Sequence, residues 1–532
     1  MRYWAARISD GAGTRAHSRG TAKRIPTASV CTESAATAAL TASRTRGETR
    51  RMTAVLAQSP PAEKPPAASV HLDTSCRGMA CDASPSMAIL DYEKAAHLYR
   101  RAGFGGTEAE INALVGMDAG AAADRFLSFK TSKSRTQGRD AESAARTWLK
   151  RMLKKPPLQE KMTFFWHGHF ANSIEKVDDI KLMNVQNGLF RLFAIGNFKA
   201  LVRAVTKDPA MLIFLDGQEN ELTNPNENYA RELMELFTLG IKDDAGAGNY
   251  TQSDVHQLAR ALTGYVIDGN KGAFDSSRHD DEADKTFMGV TGNLGVEGVA
   301  PADDVIEIIF GHLDTRAPAK PRVARFLARK LARFFGPAEP SDALVDTMAD
   351  AFTASGWEVA PMLRAIFAAD EFYTAANMAG TVKSPVEFVL QPLRMLQAKT
   401  NWRDLPFALE SMGQTLFAPP NVAGWPGGLA WMSAGTLLAR YGYARDLGAG
   451  RGRSFKFDPT LLVNGASTTA DVVQRALTLL GPLQPPASVA NRLDAYLNDP
   501  APPPALDDFT FLDEKVRGLV ALVLELPHFQ VH

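Results

Sequence analysis

From Tyr92 onward, apolar residues recur at helical rather than alternating spacing. The sharpest instance is residues 224–240, Asn-Pro-Asn-Glu-Asn-Tyr-Ala-Arg-Glu-Leu-Met-Glu-Leu-Phe-Thr-Leu-Gly. At about 100° per residue, Tyr229, Ala230, Leu233, Met234, Leu236 and Phe237 gather on one side, and Glu227, Asn228, Arg231, Glu232, Glu235 and Thr238 on the other; only Leu239 breaks the polar arc. Asn224 is placed to cap this helix, Pro225 fits its first position, Glu227 completes an Asn-x-x-Glu capping box and Gly240 supplies a left-handed stop.

Further helices are predicted at short spacing, among them 157–169, 178–194, 251–263, 320–335, 341–354, 384–398, 432–445 and 512–525. Strands and helices do not alternate, which argues against a parallel sheet. Residues 264–298 break the helical pattern with two β-like segments, 265–270 and 287–293, rich in Gly and Asn turns. The expected architecture is mainly α: a large multi-helix domain over 87–455 with a small β-hairpin insertion at about 264–298, a helical subdomain over 456–532, and a disordered leader over 1–86.

Composition sharpens this picture at the N-terminal end. Residues 1–51 carry ten Lys or Arg against three Asp or Glu, a Pro-rich run follows, and no apolar periodicity is visible. The segment lacks the apolar core of a secretory signal, so the expectation is a cytoplasmic chain, with export in play if Met52, Met79 or Met87 is the true start or if a partner carries it. The 59 basic and 59 acidic residues cancel, which removes the drive for non-specific nucleic-acid attachment. No run approaches the roughly 18 apolar residues of a transmembrane helix. All three cysteines, Cys31, Cys76 and Cys81, precede residue 82, so the remainder has neither an internal disulfide nor a thiolate metal site.

Candidate chemistry clusters around the polar arc. Glu227, Glu232 and Glu235, with Asp216 just upstream and Asp254 downstream, are candidate catalytic carboxylates; Asn228, Arg231 and Arg260 are candidate binding groups, and Arg260 is expected to counter Glu232 or Glu235. Asp216 opens an Asp-Gly turn, and Asp254 is explained by capping behind Thr251. His167 and His169, inside Phe-Phe-Trp-His-Gly-His-Phe, share a face on a strand but diverge by about 200° on a helix. With His279 of the His-Asp-Asp-Glu run they are candidate ligands for a divalent metal, or else core and capping histidines. Trp425 and Trp431, in a loop stiffened by Pro and Gly over 419–431, either stack on a ligand such as a sugar or plug the core. No nucleophile elbow, Walker loop, dinucleotide fingerprint or His-Glu-x-x-His is present.

These stretches together resemble one large bacterial family, the domain of unknown function 1800. The resemblance rests on Ala-Ala-His-Leu-Tyr-Arg-Arg-Ala-Gly-Phe-Gly at 95–105, Phe-Trp-His-Gly-His-Phe at 165–170 and Asn-Glu-Asn-Tyr-Ala-Arg-Glu-Leu-Met-Glu-Leu-Phe-Thr-Leu-Gly at 226–240. It continues through Tyr-Thr-Gln-Ser-Asp-Val at 250–255, Ala-Arg-Ala-Leu-Thr-Gly at 259–264, Pro-Pro-Asn-Val-Ala-Gly-Trp-Pro-Gly-Gly at 419–428 and Leu-Pro-His-Phe-Gln at 526–530. The family supplies no catalytic residue to carry over. What the resemblance implies is a protein partner, since its members look to be encoded beside the domain of unknown function 1501 family, which resembles sulfatases and phosphatases. Two readings follow: a hydrolase-like enzyme with a Glu/Asp/His-lined, metal-assisted polar site, or a non-catalytic accessory of that partner whose charges form a buried ion network.

Overall fold

The computed structural model describes residues 88–132, 134, 136–154, 156–281, 284–295, 303–450, 454–499 and 505–532. The expected leader lies outside them. Among the described residues helices dominate, and strands form only three two-stranded antiparallel pairs, so the chain is mainly α. Two of these pairs make up the insertion, Tyr265–Asp268 with Lys271–Phe274 and Lys285–Phe287 with Val290–Gly292. The third, Lys399–Thr400 with Phe455–Lys456, is too short to leave a period-2 signal. No helix among the described residues is long and apolar enough to cross a membrane.

The helix that the fold is built around is Pro157–His169, where Pro157 occupies the N-terminal position that needs no amide donor. Every residue from Leu158 to His167 is buried, and His169 as well. A helix covered on all sides must pair its charges. Glu160 accepts from Arg191 at 2.6 and 2.9 Å and from the Trp148 indole at 2.9 Å; Lys161 donates to Glu387, which comes from the distant helix Pro385–Met395.

Two apolar clusters flank this helix. Met162, Phe165, Trp166 and Phe170 face the first, with Leu233, Met234 and Phe237 of the 224–240 stretch and the apolar side of the helix Arg322–Phe335. Phe164 faces the second, with Trp148 and the helices Pro385–Met395, Ala434–Ala449 and Arg517–Glu525.

The 224–240 stretch departs from its predicted form at both ends. Its helix begins at Asn228, not Pro225, because the Asn220 side chain holds the Asn226 amide at 2.8 Å and Asn226 in turn caps Asn228 at 2.9 Å. From Leu233 to Thr238 it widens into a π-helix. The wider turn rotates Thr238 from the polar arc into the core, where its hydroxyl donates to the Leu233 carbonyl, and it buries Leu239. Gly240 stops the helix at φ +81° as expected.

Candidate functional site

The carboxylates of the polar arc do not converge on one reaction centre. Asp216 sits between Lys176 at 2.8 Å and the Asn228 amide at 3.0 Å. Glu227 accepts from Arg231 at 3.0 Å and Gln252 at 2.7 Å, with His256 3.6 Å away. Glu235 accepts from the Tyr250 hydroxyl at 3.1 Å. Asp254 caps its helix as expected and also takes the Met288 amide at 2.8 Å, tying the insertion down. Arg260 does not reach Glu232 or Glu235; it pairs with Asp280 at 2.6 Å, because Asp280 is drawn in by the Thr263 hydroxyl at the helix end. That leaves Glu232, whose Oε2 is buried without a partner among the described residues and whose pKa is raised by burial and then by the Glu235 charge.

The three candidate histidines are also kept apart. Helical geometry turns His167 and His169 away from each other. His167 Nε2 accepts from the Phe417 amide at 3.2 Å, and burial drops its pKa to about 3. His169 Nε2 meets the Phe237 carbonyl at 3.1 Å, which assigns the proton to Nε2 and leaves Nδ1 bare, buried and without a partner among the described residues. Burial, and then the nearby Lys330 charge, hold the His169 pKa well below its usual value. His279 Nδ1 meets the Thr263 carbonyl at 2.9 Å and latches the insertion. Among the described residues no three His, Cys, Asp or Glu side chains come together as a metal-binding group, so the expected divalent-metal site has no ligand set there.

What does converge is a cavity of about 760 Å3 beside the buried His helix, within the usual range for small-molecule sites. The repeating aromatics of 164–170 explain its wall. Phe165 and His169, four residues apart, stack at 5.7 Å and face the cavity. Phe164 and Gly168, also four apart, make a groove for Trp425, which stacks on Phe164 at 5.9 Å. The loop can approach because Gly424 (φ +84°) lies against the helix backbone: a Cβ there would stand 2.4 Å from the Gly168 carbonyl. Phe417, at the loop's start, is held at φ +66° between the His167 ring, which takes its amide, and the Ile174 amide, which takes its carbonyl at 2.8 Å. Trp425 and Trp431 both line the cavity, Trp431 with little surface left exposed, so they plug and line at once.

The remaining wall is cationic, and the sequence patterns did not single it out. Lys330 donates to the Leu236 carbonyl at 3.0 Å; with His169 on Phe237, it satisfies the open carbonyls at the C-terminal end of the π-helix, where a positive charge is favoured. Burial lowers its pKa to about 8. Arg101 caps the end of the helix Arg322–Phe335 through Nε and Nη2, on Phe335 at 2.6 Å and Phe334 at 2.9 Å, while Nη1 has no protein acceptor among the described residues. Arg333 lines the rim in a pair with Glu339 at 2.9 Å. Glu387 takes Lys161 on one oxygen and the Ser384 amide and hydroxyl, each at 2.8 Å, on the other. Burial alone would raise its pKa, but Lys161 and Arg101 outweigh that and hold the carboxylate below its usual value.

Behind this wall lie buried Arg100, Arg440 and Lys383. Arg440 donates to the Lys383 carbonyl at 2.7 Å, and the Lys383 ammonium stands 3.5 Å from the centre of the Phe529 ring. Burial, and then the charge of Arg100, hold the Lys383 pKa well below its usual value. Arg101, Arg440 and Lys161 feel the charge of the Glu387 carboxylate, and Arg100 that of Glu93. The His532 ring is also buried against Glu387 at 3.5 Å.

Comparison with known proteins gives a family and no activity. The model of the family described as "Protein of unknown function (DUF1800)" matches residues 97–531, a span that holds the His helix, the Trp loop and every side chain of the cavity except the terminal His532. No curated protein and no solved structure matches the chain.

Proposed function

The chain belongs to the DUF1800 family, and from the shape and charge of its cavity we propose that it binds a small organic anion with a flat apolar body. The observation that carries this reading is the pairing of an aromatic wall, Phe165, Trp425 and Trp431, with Arg101 and Lys330, two cations that line the same cavity with no carboxylate among the described residues bonded to either. Both cations answer to backbone carbonyls rather than to an ion pair of their own, Arg101 sharing the Glu387 charge with Lys161, and a bound carboxylate or phosphate supplies opposite charge beside them. The aromatic faces supply apolar contact for the rest of the ligand.

Hydrolysis by the arc carboxylates has less support, because Asp216, Glu227, Glu235 and Asp254 are each engaged by neighbours. The accessory reading, with a protein of the domain of unknown function 1501 family as partner, draws on a different observation. Phe407, Leu429 and Leu438 stand 72%, 81% and 71% exposed on and after the helix that precedes the Trp loop, apolar side chains that a partner surface would cover.

The test is a titration of the full chain, followed by tryptophan fluorescence and by thermal shift, with phenyllactate against the uncharged 2-phenylethanol. Binding of the acid at least ten-fold tighter than the alcohol, weakened by Trp425→Ala, is the expected result. Equal binding of the two, or none of the acid, overturns the reading.

A further inference from the structure

We propose that Lys330 is a covalent anchoring amine, forming an imine with a carbonyl-bearing organic anion bound in the cavity; this rests on the anion reading above. Three features of the wall converge on it. Lys330 comes from the helix Arg322–Phe335 and reaches the cavity wall with its ammonium fixed by one hydrogen bond to the Leu236 carbonyl, rather than by a carboxylate that would keep it protonated. His169, on the adjoining carbonyl of the same helix end, presents a bare, buried Nδ1 lone pair among the groups of that wall. Arg101 Nη1 is the donor left over for the anionic end of the ligand.

The step balances without any added reagent. The neutral Nζ adds to the carbonyl carbon, forming a C–N bond as the C=O π pair moves to oxygen. A proton passes from nitrogen to that oxygen. The nitrogen lone pair then forms the C=N bond as the C–O bond breaks, and the second nitrogen proton passes to the departing hydroxide, so amine plus carbonyl gives imine plus water. With its pKa lowered to about 8, roughly 10% of Lys330 is a free amine at pH 7, against about 0.04% of an ordinary lysine.

The experiment treats the full chain at pH 7 with phenylpyruvate and cyanoborohydride, which reduces an imine to a stable secondary amine, and maps the product by proteolysis and mass spectrometry. Lys330 is expected to carry at least ten-fold more label than exposed lysines such as Lys150 and Lys181. Lys330→Arg, which keeps the charge, is expected to lose that label while still binding phenyllactate, an anion with a hydroxyl in place of the ketone; Lys330→Gln serves if the arginine variant does not fold. Phenyllactate binding without labelling of Lys330, or label spread evenly over the surface lysines, overturns the imine and leaves the anion site standing. Failure of both acids to bind overturns the anion site and the imine with it.

Discussion

Replacing Glu387 with Gln removes one charge from the cavity wall and keeps its shape. The amide oxygen can still accept from Ser384, so the loss is electrostatic: Lys161, fully buried, is left without a counter-ion. Breaking one half of a buried pair costs about 3–5 kcal/mol. The cost has a ceiling, because Lys161 can instead deprotonate, and moving an amine of ordinary pKa to neutrality at pH 7 takes about 4.6 kcal/mol. For a unit of roughly 450 residues the unfolding entropy is about 0.9 kcal/mol/K, so the melting temperature should fall by about 3–5 °C. The pH dependence gives the sharper signature. In the variant the folded-state pKa of Lys161 lies below its unfolded value, so the folded form gains as pH rises, and about 2.7 kcal/mol of the deficit should disappear between pH 7 and pH 9. Urea unfolding of both proteins at the two pH values, followed by tryptophan fluorescence, measures this directly. The double variant Lys161→Met/Glu387→Gln should recover more than half of the loss, and Glu387→Gln should bind phenyllactate several-fold more tightly, since it removes the carboxylate nearest the cations. A single variant as stable as the parent at pH 7, or a deficit that does not change with pH, would refute the reasoning.

Other perturbations probe separate links. Glu232→Gln should melt at or above the parent at pH 7, with its advantage growing as pH rises through the carboxylate range, because a raised folded-state pKa means the parent loses stability there; a fall of several degrees in a thermal melt would reveal a partner for Glu232. Asp208 is buried, caps the helix Pro209–Phe214 and is pushed up to about 7 by burial, so the parent should lose about 4 kcal/mol relative to Asp208→Asn between pH 4 and pH 8, readable by denaturant titration. A pH-independent difference would show that Asp208 is ionised without penalty. Gly424→Ala forces a Cβ onto the Gly168 carbonyl and strains a left-handed residue, so it should lift Trp425 off the His helix and weaken phenyllactate at least ten-fold; unchanged binding would detach the loop from the site.

Helices were legible where local rules act alone. The spans 157–169 and 320–335 match Pro157–His169 and Arg322–Phe335 to within two residues, because Pro at the first turn and apolar spacing both act within the segment. The start of the 224–240 helix was not legible, since it is decided by Asn220, which no capping rule inspects, and its π turn follows from packing rather than from propensity. The polar arc drew attention because its charges are contiguous in sequence, yet contiguity on one helix face is what a solvated surface also produces.

The cavity wall was hidden for the opposite reason. Arg101, Lys330 and Glu387 lie on three helices far apart in the chain, and each is accounted for locally as a helix-end basic residue, a polar-face lysine and the third position of a Ser-x-x-Glu capping box. Lys161 was masked too: it sits in Leu-Gln-Glu-Lys-Met-Thr-Phe-Phe-Trp among polar neighbours, and only the structure shows the helix buried from Leu158 to His167, which leaves its charge no route to water. Such a lysine must find a carboxylate from elsewhere, and that carboxylate, Glu387, lies in the cavity wall. The same reasoning explains why His169 and the Trp loop are found together. The glycine between the histidines opens the helix face that Trp425 covers, and the ring four residues after Phe165 is left to face the space between them. A buried charge inside an aromatic run is therefore a better pointer to this site than the larger number of charges on the exposed face of a neighbouring helix.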